Sequence, residues 1–195
     1  CRCKMLNLLF TDSFITIMPT QSAEKLLQDM MTQYCDYWSS VCLDIKKLKE
    51  VLTQLSDQQK LHLLQQNYSG WWTPLQYAAL RDDTDIINTL LTSLQSSADR
   101  LKLLMVYVWT PLYVAAFYSR TESVKMILDC LTADQQIQIM SAQSESGGTA
   151  IRCAERGGHT DTARVLREYQ HREDDLMKEQ NGMLLILDFH NEILN

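Results

Sequence analysis

Thr73-Pro74-Leu75-Gln76-Tyr77-Ala78-Ala79 returns 37 residues later as Thr110-Pro111-Leu112-Tyr113-Val114-Ala115-Ala116. A weaker copy, Thr149-Ala150-Ile151-Arg152-Cys153-Ala154-Glu155, stands 39 residues further on. Self-similarity at such a period marks a stack of repeated units. Each copy has an apolar residue two places after the threonine and alanine five places after it, and the first two have alanine at six as well. Those spacings describe one face of a helix. Proline just inside the start suits a first turn, where its missing N–H costs nothing. The threonine before it can cap the free amides.

A second apolar set follows each copy. Ile87, Leu90, Leu91 and Leu94 follow Thr73, and Val124, Ile127, Leu128 and Leu131 follow Thr110 at the same distances. The third copy reads Ala163, Leu166, Arg167 and Gln170. The i, i+3, i+4, i+7 spacing predicts a second amphipathic helix. Each unit is then two antiparallel helices whose small alanines let neighbouring units approach closely. One unit cannot cover its own apolar faces, so the units must stack. The expected fold is all-α with almost no strand, and Leu75, Ala78, Leu91, Leu112, Ala115 and Leu128 are expected to be nearly fully buried.

With these motifs in phase, the stretch from about 70 to 170 resembles the ankyrin-repeat family. The family pattern of threonine, proline, leucine, histidine, any residue and two alanines is met almost fully by the first two copies. Gln76, Tyr113 and Arg152 replace its histidine. The glycine-histidine pair that turns between the helices survives as Gly158-His159, with Asp82-Asp83 and Ser119-Arg120 in its place earlier. The resemblance implies a structural hydrogen-bonding role for His159. It also implies a non-catalytic protein-interaction module, a scaffold or adaptor, that takes a protein partner on the concave face of the first helices. The family's variable contact positions fall here on Trp72, Leu80 and Arg81, then Trp109, Phe117 and Tyr118, then Gly148, Arg156 and Gly157. Aromatics and arginine are the residue types that dominate interface energetics. Trp72, Leu80, Arg81, Trp109, Phe117, Tyr118 and Arg156 therefore form the candidate site. Phe117, Tyr118 and Arg81 are expected to be exposed, whereas Trp71, Trp72 and Trp109 suit packing and contact equally.

The repeats exceed the usual 33 residues of that family. The excess lies between the second helix and the next threonine. Ser56 with Gln59 and Thr132 with Gln135 have capping-box spacing, each followed by apolar residues, and Ser97-Ala98-Asp99 leads to Leu103 and Leu104. Short extra helices starting near Ser56, Ser97 and Thr132 are expected, ahead of shortened hairpin loops. The hairpin is most in doubt at Val106-Tyr107-Val108-Trp109. Upstream, Leu26, Leu27, Met30, Met31, Tyr34 and Trp38 describe a helix from near Ser22, and Leu48, Val51, Leu52 and Leu55 a second. The chain divides into 1–17, read as a fragment end or upstream sequence without assigned structure; a helical N-terminal cap, 18–56; the repeat domain, 57–180; and a tail, 181–195. The last helix is expected to run on through Arg172, Asp174 and Lys178. The apolar Met183–Leu187 either folds back on the stack or stays exposed.

Composition narrows the function. The chain has 195 residues, 46% of them hydrophobic, and a net charge of -6, so it lacks the basic footprint of a nucleic-acid binder. No run of eighteen apolar residues suits a membrane span. The cysteines at 1, 3, 35, 42, 130 and 153 do not match zinc-site spacing, and they read as reduced structural thiols. No phosphate loop, nucleophile elbow or zinc-protease motif occurs, and Asp82-Asp83 and Glu173-Asp174-Asp175 read as solvated surface charge. The expectation is a monomeric, cofactor-free and metal-free interaction module without a small-molecule substrate, in the cytoplasm with the nucleus left open. The alternative is a fragment of a larger multidomain signalling protein whose repeats scaffold another domain.

Overall fold

A computed structural model describes residues 20–36, 42–68, 72–145 and 147–172. Its helices are α1 (Thr20–Tyr34), α2 (Ile45–Thr53), α3 (Asp57–Leu64), α4 (Pro74–Arg81), α5 (Thr84–Thr92), α6 (Ser97–Leu104), α7 (Pro111–Phe117), α8 (Thr121–Asp129), α9 (Ala133–Ser141), α10 (Ala150–Arg156) and α11 (160–172). Among the described residues there is no strand, only an isolated antiparallel bridge between Tyr68 and Trp72. The expected all-α solenoid is what forms.

Each repeat threonine caps the helix its sequence starts. The hydroxyls of Thr73, Thr110 and Thr149 accept the amides of Gln76, Tyr113 and Arg152 at 3.3, 3.1 and 3.5 Å. The first helices α4, α7 and α10 pack side by side, α5 packs on α8 behind them, and α3, α6 and α9 form a third row. That third row is the excess length of the repeats. Ser56 and Gln59 close a capping box at α3, Ser96 (one residue ahead of the expected Ser97) caps α6, and Thr132 with Gln135 caps α9.

Leu75, Ala78, Leu91, Leu112, Ala115 and Leu128 are all fully buried between the rows. In the cap, Leu27, Met30, Met31 and Tyr34 of α1 are buried with Leu48, Val51 and Leu52 of α2, in one core continuous with the repeats. At the other end Ala163 and Leu166 are buried while Arg167 and Gln170 are exposed, the polar outer face a terminal unit needs. Residues 1–17, Trp38, Trp71, the expected continuation through Asp174 and Lys178, and the tail lie outside the described residues.

The turn between the paired helices repeats in all three copies. Nine places after the threonine, Asp82, Ser119 and Gly158 have φ of 60, 58 and 72°, the left-handed conformation that ends a helix. At the next position the amides of Asp83, Arg120 and His159 return to the carbonyls of Ala78, Ala115 and Ala154 at 2.9, 2.8 and 2.9 Å. The side chains there tie each unit to the one before. Arg120 Nε donates to the Leu80 carbonyl at 2.8 Å, and His159 Nε2 lies 2.9 Å from the Phe117 carbonyl, its counterpart one repeat later. The implied structural role of His159 therefore has a partner. In copy one the Tyr34 hydroxyl of the cap donates to Asp83 at 3.2 Å, and Asp82 accepts the Ser123 amide at 2.9 Å and its hydroxyl at 2.7 Å. Asp82-Asp83 is thus corrected from solvated surface charge to a partly buried link. Donors from both neighbouring units meet the two carboxylates.

Candidate functional site

The first helices and the loops before them build one aromatic face. Tyr113 and Phe117 lie four residues apart on α7, which turns both rings to one side, and Trp109 joins them from the loop before it. The Trp109 ring lies 5.3 Å from Tyr113 and 5.8 Å from Phe117, and Phe117 lies 5.0 Å from Tyr118. Trp72, from the preceding loop, joins them at 6.5 Å from Trp109 and 6.4 Å from Tyr118. It also meets Tyr77 edge-on at 6.3 Å. Trp109, Phe117 and Tyr118 remain 36, 44 and 40% exposed, whereas Trp72 is half-buried against the core. Four of the seven candidate residues therefore meet in one cluster. Of the three tryptophans that suited packing and contact equally, Trp71 lies outside the described residues and the other two divide: Trp72 is mainly packed, and Trp109 is both packed and open.

The other three lie elsewhere on that layer. Leu80 is half-buried in the core cluster. Arg81 is half-buried rather than exposed, a correction to its expected position. Its guanidinium sits 5.3 Å from the centre of the Tyr34 ring and 6.0 Å from that of Tyr77, and it donates to the Asp36 carbonyl at 3.4 Å. The cap, absent from the motif, reaches over and holds it. Arg156 ends α10, exposed.

Sequence reasoning missed Tyr113 and the apolar loop before Thr110. Met105, Tyr107 and Val108 are exposed beside the cluster in sequence, at 40, 41 and 49%. The four-residue spacing of Trp109, Tyr113 and Phe117 carried the signal. Gln76, which stands where the family has histidine, was also undervalued. Buried, it accepts the Thr73 amide at 2.7 Å and donates to the Trp109 carbonyl at 2.6 Å, holding the copy-two loop against copy one.

No reactive group converges here. Under the cap, burial above all, with Asp83 adding, holds the Tyr34 phenol far above its usual range, and burial pushes the Cys35 thiol up to about 12. Cys35 is thus a neutral buried thiol, in keeping with the structural reading at that position, whereas Cys42 is exposed. A cleft of about 270 Å³ between α2, α3 and α5 holds Lys60, whose ammonium is occupied by Asp57 at 2.9 Å and the Ser93 carbonyl at 2.8 Å. Among the described residues no cluster of His, Cys, Asp and Glu could hold a metal ion, and no helix is long and apolar enough to cross a membrane.

The comparisons with known proteins agree with this architecture. A search of curated protein sequences finds no match. Among solved structures, the chain is similar to one in the crystal structure of the yeast ribosomal protein Rps3 in complex with its chaperone Yar1. The match has 19% identity and a TM-score of 0.52, and covers 78% of this chain and 96% of that one. At that identity the likeness speaks for the fold alone. The family model "Ankyrin repeats (3 copies)" matches residues 42–139. The match begins within the segment read as a cap and stops short of the weaker Thr149 copy. With half of its length matched and its threonine-capped helix pairs stacked in order, the chain belongs to the ankyrin-repeat family.

Proposed function

We propose that this chain is a non-catalytic protein-interaction module, a scaffold or adaptor, which takes a protein partner on the face formed by α4, α7 and α10. The observation that carries the reading is the open aromatic cluster of Trp109, Phe117 and Tyr118, backed by Trp72. Exposed apolar patches on soluble proteins mark contact sites. These rings hold one another edge-on or tilted, so little side-chain freedom remains to be lost when a partner arrives. The similar solved fold in the yeast complex comes from a chaperone bound to a ribosomal protein, which fits a protein-binding role.

The test is capture of an identified partner by the wild type and by Phe117→Ala and Tyr118→Ala. Each substitution is expected to leave the thermal midpoint nearly unchanged while weakening capture by more than about tenfold, or about 1.4 kcal/mol. Arg81→Ala serves as the contrast: its guanidinium braces the cap, so its loss lowers stability. Capture of the confirmed partner untouched by both aromatic substitutions would sink the reading.

A further inference from the structure

We propose that this face selects an acidic segment of its partner, one carrying a large apolar side chain for the aromatic cluster and carboxylates for Arg152 and Arg156. The proposal rests on the reading of the cluster as the binding site. The repeat register places Arg152 and Arg156 in copy three where copy two has Tyr113 and Phe117, three and seven places after the threonine. Both are exposed, and neither takes part in any ion pair among the described residues. The bond between His159 and the Phe117 carbonyl brings the end of α10 beside the end of α7. The face therefore passes from aromatic to cationic between adjacent helices.

The charge distribution makes this placement informative. The chain as a whole carries -6, yet α4 and α7 contain no acidic residue. The single acid of α10, Glu155, is bound by Arg167 of α11 at 2.6 Å. The acids that follow α4 are committed as well, Asp82 to Ser123 and Asp83 to Tyr34. Helix stability does not account for the arginines together. Like charges four residues apart disfavour a helix. Arg156 suits the negative C-terminal end, but Arg152 lies in the first turn, where a cation is unfavourable. What two unpaired guanidiniums on one face do well is receive carboxylates through their forked donors. Neighbouring packed helices lie roughly 10 Å apart, and an extended chain advances about 3.3 Å per residue. An extended segment crossing from α7 to α10 would thus carry its apolar anchor and first carboxylate about three residues apart.

The probe is a random peptide library displayed on phage and panned on the immobilised full chain. The enriched peptides are then synthesised and titrated against wild type, Phe117→Ala, the double variant Arg152→Gln/Arg156→Gln and the charge reversal Arg152→Glu/Arg156→Glu. The expected peptides combine a large apolar residue with at least two aspartates or glutamates. Their affinity is expected to fall at least about tenfold in the glutamine variant, with the thermal midpoint kept. That loss should shrink towards about 0.5 M salt, because exposed charges are screened, and the reversal should favour basic peptides. Neutral or basic peptides enriched on the wild type, no enrichment over a bare surface, or acidic peptides that bind the glutamine variant as well as the wild type would each overturn the proposal. Phe117→Ala separates the two levels. If it abolishes binding of peptides that are not acidic, the site stands and only its selectivity falls. If it leaves every enriched peptide bound, the site itself falls.

Discussion

The loop before Thr110 and the loops before Thr73 and Thr149 do the same job with different chemistry. The loop before Thr73 is tied by Tyr68 N–H to the Trp72 carbonyl at 3.1 Å, and the loop before Thr149 by Ser144 N–H to the Gly148 carbonyl at 3.0 Å and Gly147 N–H to the Ser144 carbonyl at 2.8 Å. The middle loop has only residues 105–109 between α6 and Thr110, and its Met105 amide turns back instead to the Leu101 carbonyl at 3.0 Å. The residue that would make the bond, Met105, is here the cap that ends α6, so its amide is already engaged. The loop's side chains Met105, Tyr107, Val108 and Trp109 are left exposed. Where the repeat does not close in this way it offers apolar contact area. The region that departs from the pattern is the region that supports the functional reading.

The comparison can be broken first at the packing both loop types share. Leu112→Ala or Leu128→Ala removes a fully buried side chain between units. Either should cost about 2–5 kcal/mol in denaturant unfolding, the usual range for a core leucine. A loss well below that would mean that the stack around copy two is loose. Next, Gln76→Ala would leave the buried Thr73 amide and the Trp109 carbonyl without their partner. The expected cost is about 1–3 kcal/mol. Hydrogen exchange should show the 105–109 loop loosening while the loop before Thr149 is unchanged.

A smaller effect separates two left-handed turns. Ser119, at φ 58°, makes no side-chain bond between units among the described residues, so Ser119→Gly should stabilise by up to about 1 kcal/mol. Asp82, at φ 60°, has the Ser123 bonds to lose, so Asp82→Gly should destabilise despite the same relief. Thermal unfolding of the pair reads the signs, and equal signs would contradict the link. Smallest of all, Val108→Ser replaces a side chain 49% exposed. It should change stability by less than about 0.5 kcal/mol. A larger loss would show that the short loop is packed rather than offered.

Local regularities carried most of the fold into the sequence. The threonine-proline starts, the paired alanines and the apolar spacing were legible because capping and helical periodicity act within a few residues. The extra helices were legible for the same reason, down to the capping boxes at Ser56 and Thr132. Asp82-Asp83 was misread because a carboxylate's surroundings are set by residues about forty positions away. Arg81 was placed in the open for the same reason: Tyr34 and Asp36, which cover it, belong to a cap that does not share the motif.

What the sequence determined by itself is therefore the unit: two helices with a third inserted, a capped start and an apolar stripe that obliges stacking. Tertiary structure alone decided which exposed aromatics meet. Trp72 joins Trp109 and Tyr118 across a repeat boundary, and Gln76 fastens one copy's cap to the next copy's loop. The physical reason is range. Helix propensity and capping are settled by neighbours along the chain, whereas burial, ring contacts and the partners of a buried amide are settled by units brought together only when the stack forms.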